Sequence, residues 1–306
     1  MTLLSPQRER GLMARMFVGP TVGMTIRRSL FFFMLFLAVV APWLDDFAHV
    51  LPFPIYDPLR PDPFNPVSPP TAEHWFGTDT LGLDVFTRVL MATRVDFTLA
   101  LIGVALGGGL GCLAGAWAAY RRGWVDMVAL RIVEVLQSFP VLLLGLAMFA
   151  AFGSLEIFGP VDHGMAVLVL SISMVNFPLY LRQVRSVLLP LTEAEFVQAA
   201  KCAGLGAWGI VWHHFIPNAR GQILALFPLT CAYAIQIIAG LSFIGLGIEP
   251  PNPEWGSMIK AGATLIVQGH WWVSVFPGAF IVISVYSLTG FSARSETLVG
   301  PGGTSA

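Results

Sequence analysis

"IGVALGGGLGCLAGAWAAY" occupies residues 102–120, inside a run from Phe97 to Tyr120 that holds no Asp, Glu, Lys or Arg. About 20 helical residues cross the hydrocarbon core of a bilayer, so the run reads as a transmembrane helix. Gly103, Gly107, Gly111 and Gly115 recur four residues apart within it. That spacing stacks small residues on one helix face and lets a second helix approach closely. Gly107-Gly108-Gly109 is no phosphate loop. Such a loop needs its Lys, and neither Lys201 nor Lys260 follows a Gly.

The rest of the chain agrees with that solvent. Of 306 residues, 56% are hydrophobic and 11% charged, where a soluble domain carries roughly 25% charged residues. Six apolar runs appear: Ser29–Leu44, Phe97–Tyr120, Val135–Gly153, Gly164–Leu181, Ile223–Gly247 and Trp271–Phe291. The first is short, so it borrows flanking residues or thins the local lipid. A long polar tail before it and no small-x-small site after it make it a retained signal-anchor rather than a cleaved signal peptide. The fold class expected is all-α: a polytopic membrane protein with six transmembrane helices. With the N-terminus inside, inner segments hold thirteen of the 17 Lys and Arg and outer segments four: Arg60, Arg88, Arg94 and Lys260. The positive-inside rule then places both termini in the cytoplasm.

Domain organisation follows. Residues 1–28 are a cytoplasmic tail, 29–44 the first helix and 45–96 a Pro-rich extracytoplasmic loop. Residues 97–291 are the core and 292–306 a second cytoplasmic tail. "LPFPIYDPLRPDPFNPVSPP" (51–70) reads as an extended surface strap, since Pro excludes it from helix and central strand. The net charge of -1 says little about partners, and no nucleic acid is expected. Cys112, Cys202 and Cys231 form no disulfide framework.

The spans hold almost no ionisable group, whereas ion-coupled carriers place carboxylates, His or broken helices at membrane depth. A transporter without such groups needs its energy from elsewhere, which points to a partner. Arg131 and Glu134, three apart on one helix face, read as an interfacial pair. Gln137, Ser138 and Pro140 either line a path or satisfy the kink at the Pro.

"EFVQAAKCAGLGAWGIVWHHFIPN" (195–218) is too polar to cross a bilayer. Thr192 with Glu195 fits a capping box that starts a helix, which Gly204 ends as a C-terminal cap. A second helix from about Ala207 to His214 carries Trp208, Val211, Trp212 and Phe215 as an apolar stripe, and Pro217 closes it. The pattern fits equally a helix lying on lipid and a docking knob for a cytoplasmic partner.

The segment resembles the cytoplasmic coupling loop of ABC-importer permeases, EAA-x3-G-x9-I-x-LP. Gln198, Ala199, Ala200, Gly204, His214, Ile216 and Pro217 fall on that spacing, with Gln198 for the motif's Glu and His214 for its Ile. The His is usual in the dipeptide/oligopeptide/nickel branch. "HWFGTDTLGLDVFTRVLMATRVDFTLAL" (74–101) is similar to that branch's FGTD-x-x-G-R-D-V stretch, with Leu83 in place of Arg. "LSFIGLGIEPPNPEWGSMIKAG" (241–262) and "WWVSVFPGAFIVI" (271–283) match as well. At the C-terminus N-L-L-G-D-G-L-R-D becomes "SLTGFSARS" (287–295), which keeps only Leu288, Gly290 and Arg294.

The resemblance, to a C-type subunit, implies a type I ABC importer permease in the bacterial inner membrane, with residues 192–219 as its ATPase-coupling loop. Of that loop, Glu195, Gln198, Ala199, Ala200, Gly204, Trp208, His214 and Pro217 are the candidate residues. It implies a second homologous permease, two cytoplasmic ATPases that bind ATP and magnesium, an extracytoplasmic substrate-binding protein, and no cofactor on this chain. The chain is then a transport subunit, not an enzyme. Neighbours His213 and His214 point about 100° apart on a helix and cannot chelate one ion together. The cargo expected is di- or oligopeptides or a similar small solute, with nickel or another non-peptide solute as the alternative. Outside this family the alternative is an ion-coupled secondary transporter. An exporter would carry a fused ATPase or long cytoplasmic helix extensions.

Overall fold

The computed structural model describes residues 23, 25–43, 54–62, 66–153, 163–248 and 252–298. The tails beyond them, parts of the Pro-rich loop, and residues 154–162 and 249–251 lie outside the described residues. Those residues form helices joined by turns; a single bridge between Thr78 and Asp84 is the one extended pairing among them.

Residues 25–40 form α1, where the first apolar run was expected. α2 spans Val85–Arg121 and starts well before the second run. Its cap is Asp84, whose carboxylate accepts from the Thr87 amide and hydroxyl at 2.7 Å each and faces His74 Nδ1 at 2.9 Å. Asp79 accepts from the Leu81 and Leu83 amides. Arg88 donates to Pro58 O and Trp272 Nε1 to Thr78 O. Residues 74–84 are thereby a knot that ties the strap to two helices.

Among the described residues four helices are long and apolar enough to cross a membrane: Val85–Arg121, His163–Glu193, Ala207–Ile244 and Trp272–Gly290. The third sequence run departs from expectation. In place of one span over Val135–Gly153 there are α3 (Gly123–Ser138) and α4 (Val141–Phe152), bent by 96°. Pro140 has no N–H to give and forces Phe139 into an extended conformation, φ -86° and ψ 135°. The pair is a fifth crossing only if both halves together count as one span.

α5 (His163–Leu188) packs along α2 through the glycine ridge. A Cβ at Gly103 would come 2.7 Å from Ile172, and one at Gly111 2.5 Å from Phe177 O. At Gly107 and Gly115 it would collide with the backbone of Ser173 and Leu181. Only hydrogen side chains allow the two backbones this close. After α5 come α6 (Glu195–Cys202), α7 (Ala207–Ile210) and α8 (Ile216–Ile244), then α9 (Trp255–Ile266) and α10 (Trp272–Leu298). Val104, Ile172, Val184, Ile235, Ile238 and Leu241 are fully buried where α2, α5 and α8 meet.

Candidate functional site

Two places hold the polar residues singled out from the sequence. The first is residues 190–218. A turn over Pro190–Glu193 leads into α6, and Ala194 precedes that helix without a side-chain cap bond. The expected Thr192/Glu195 capping box does not form. Thr192 is turned inward, its hydroxyl donating to Leu189 O at 2.8 Å and accepting from Arg122, while Glu195 stays exposed. Gln198 Nε2 reaches Thr192 O at 3.3 Å.

α6 ends at a left-handed glycine. Gly204 has φ +81°, its amide bonds Lys201 O, and the Leu205 amide bonds Ala200 O. This closes the helix in a Schellman motif. Nothing lies within 4 Å of a Cβ built there, so the requirement for Gly is purely one of backbone conformation.

The second helix is not closed by Pro217. The chain stays helical from Ala207 to Ile244. A π turn over Val211–Phe215, with the Ile216 amide bonded to Val211 O, precedes a proline in the first turn of α8. Wide turns of this kind absorb a residue that cannot donate. The apolar stripe also divides. Val211 and Phe215 are buried against the bundle, while Trp208 and Trp212 are each 55% exposed.

The segment is fastened to the end of α2. Trp208 stacks on Trp117 with ring centres 4.7 Å apart, and Phe215 meets Tyr120 edge-on at 6.2 Å. Lys201 and Arg121 lie over the Tyr120 and Trp117 rings. Arg122 stands at the corner between α2 and α3 with φ +52°. It donates to Glu193 Oε1 at 2.9 Å, to Leu189 O at 3.4 Å and to Thr192 Oγ1. Close by, Arg185 of α5 pairs with both carboxylate oxygens of Asp126 on α3. Ala199 is exposed, Ala200 and His214 half-buried, and Pro217 exposed.

The second place is a groove of about 790 Å³ where the α3–α4 bend faces α5 and α8. Gln137, Asn176, Arg182, Thr230, Tyr233 and Gln236 supply its polar groups within apolar walls. Of the three sequence candidates only Gln137 lines it, accepting from Arg182 at 3.3 Å. Ser138 donates to Val135 O in its own helix end, and Pro140 makes the break. Arg182, Asn176, Thr230, Tyr233 and Gln236 were not singled out from the sequence. The signal was there on α8, where Thr230, Tyr233 and Gln236 recur at three-residue spacing in an otherwise apolar stretch.

Residues 107–296 match the family model described as "Binding-protein-dependent transport system inner membrane component". The chain is 32% identical to the glutathione transport system permease protein of Pectobacterium atrosepticum, over 86% of this chain and 83% of that one. It is 32% identical to a probable D,D-dipeptide transport system permease protein of Escherichia coli, over 88% and 84%. A dipeptide transport system permease protein of Alkalihalophilus pseudofirmus is 33% identical, over 93% and 86%.

Proposed function

The chain belongs to the family of binding-protein-dependent transport system inner membrane components, and from that premise we propose how it works as a peptide permease. It is a permease subunit of an ABC import system of the bacterial inner membrane, and its relatives move glutathione and dipeptides. Peptides and close amide-bearing solutes are the cargo class these relatives support. Nickel has no such support among the three.

A second, homologous permease completes the pathway, and an extracytoplasmic binding protein delivers the cargo. Two cytoplasmic ATPases hold ATP and magnesium and supply the free energy. Both termini and residues 190–218 face the cytoplasm, as the charge bias requires. The observation that carries the mechanism is the mounting of the coupling segment. Its inner face is locked to α2 by Trp208 on Trp117, Phe215 against Tyr120 and the Arg122 fork, while Trp212 and the outer half of Trp208 stay exposed. A rigid mount with an apolar outer face transmits an ATPase displacement into the bundle. The groove beside Gln137 is this chain's half of the pathway. Amide and hydroxyl groups there meet peptide bonds, and Arg182 meets a carboxylate.

Vesicles reconstituted with the chain and its partners test the reading. Dipeptide uptake is expected to need ATP on the coupling-segment side and to survive a protonophore. Uptake driven by an ion gradient without ATP overturns it.

A further inference from the structure

The sequence places no acid inside the second run, yet Asp96 stands directly before Phe97 and is fully buried on α2. Glu254, which caps α9, is equally buried, and its carboxyl lies against that of Asp96. Among the described residues neither acid forms an ion pair with a cation.

The donors are unevenly shared. Glu254 accepts from the Gly256 and Ser257 amides at 2.7 Å each. Asp96 receives one donor, the Trp255 amide at 3.2 Å on Oδ2. Its Oδ1 is buried without a hydrogen-bond partner. Two carboxylates in contact and out of water do not both stay ionised. Glu254 has two amide donors that stabilise an anion, and Asp96 keeps one buried oxygen with no donor.

We propose that Asp96 and Glu254 form a proton-binding site, in which one proton on Asp96 Oδ1 bridges the two carboxyls and fastens α9 to the outer end of α2. The surroundings are tight. Trp255 is fully buried, its Nε1 donating to Val89 O at 3.0 Å, and a Cβ at Gly256 would come 2.6 Å from Ala239 O. The helix start is wedged between α2 and α8, so repulsion between two anions there has no water to relax into.

Other ionisable groups on the elements packed here do not supply a counter-charge. α8 carries Arg220, Cys231 and Tyr233, and α10 up to Gly290 carries Tyr286. α5 carries His163, Tyr180, Arg182 and Arg185. The Lys260 ammonium of α9 lies beside Gly245; on α2, Arg88 is turned to Pro58 O and Asp79 and Arg94 is exposed. Burial pushes Glu254 above the usual carboxylate range while its two amide donors pull against it, so the proton that titrates belongs to the pair and not to Glu254 alone. A group raised in the folded state binds its proton more tightly there. Stability is therefore full at low pH and falls as pH climbs above the ordinary carboxylate value of about 4.

The test uses the full chain in lipid nanodiscs, wild type against Asp96→Asn, an isosteric variant whose amide donates in the proton's place. The infrared difference spectrum at neutral pH is expected to show a protonated-carboxyl band in the wild type only. Above pH about 4, the wild-type folding equilibrium is expected to fall about tenfold per pH unit faster than that of the variant. No band, or equal pH slopes, overturns the proposal. So does a band abolished by added sodium at fixed pH, which makes the occupant a metal cation. Should Asp96→Asn fail to assemble, the wild-type band must be present at neutral pH and vanish at alkaline pH; its persistence or its absence throughout overturns the site.

Discussion

At the scale of single residues, the glycines of α2 differ sharply in what they permit. Gly107 faces the Ser173 backbone across the α2–α5 contact, whereas a Cβ at Gly109, two residues on, meets nothing within 4 Å. Gly107→Ala is expected to cost about 1–3 kcal/mol, because backbone cannot yield as a side chain does. Gly107→Leu is expected to abolish assembly. Gly109→Ala, on the same helix, is expected to be neutral or slightly stabilising, since Ala is the better helix former. Detergent-solubilised yield and thermal midpoint read all three, and equal losses at 107 and 109 would contradict the packing assigned to the ridge. This much was legible in the residues themselves, because four-residue spacing fixes a face whatever lies opposite. The identity of the partner helix was not, since it depends on the path of the chain between residues 122 and 163. Asp96 was missed for a related reason: one acid at the edge of an apolar run looks exposed until α9 folds over it.

At the scale of elements, the sequence located the break at Gly204 within the polar segment 195–218 but misread how the segment's ends are held. Gly204 was readable because left-handed turns have few substitutes. The capping box and the Pro217 stop are local rules, and tertiary contacts overrode both. Arg122 takes Thr192 out of the cap, and a π turn carries the helix through Pro217. Arg122 itself gave only a charge to count, though the Arg-Arg-Gly corner after a long apolar run marks a sharp turn. The turn before α6 now hangs on that fork. Arg122→Lys keeps the charge but loses the planar geometry that engages three acceptors. Insertion and ATPase copurification are expected to persist, with the cargo-stimulated to basal ATP hydrolysis ratio reduced several-fold. Gly204→Val is expected to be more severe, because positive φ costs a β-branched residue about 1–2 kcal/mol and the strain is relieved only by moving Trp208. Pull-down of ATPases alongside hydrolysis in liposomes checks both. A helix that merely lies on lipid would leave retention and stimulation normal in each variant.

At the scale of the whole molecule, the bend between α3 and α4 opens the groove that we propose as this chain's half of the pathway. A straight third helix would fill the space beside α5 and α8; the 96° break leaves the groove and exposes Gln137 to it. The Pro was visible in the sequence and its consequence was not, because a Pro in a span kinks mildly or sharply according to its neighbours. The pathway assignment separates two faces of α8. Tyr233 lines the groove and is 58% exposed, while Leu224 is 66% exposed and does not line it. Nine residues at 100° each put these two on opposite sides of the helix. Tyr233→Cys treated with a bulky thiol reagent is expected to lose nearly all dipeptide uptake, and the free cargo is expected to slow the labelling. Leu224→Cys is expected to accept the reagent with uptake retained, against a background in which Cys112, Cys202 and Cys231 are replaced. Two labelled variants that transport alike would place the pathway elsewhere. Full block at both would mean that the reagent damages the bundle, and the groove would lose its claim.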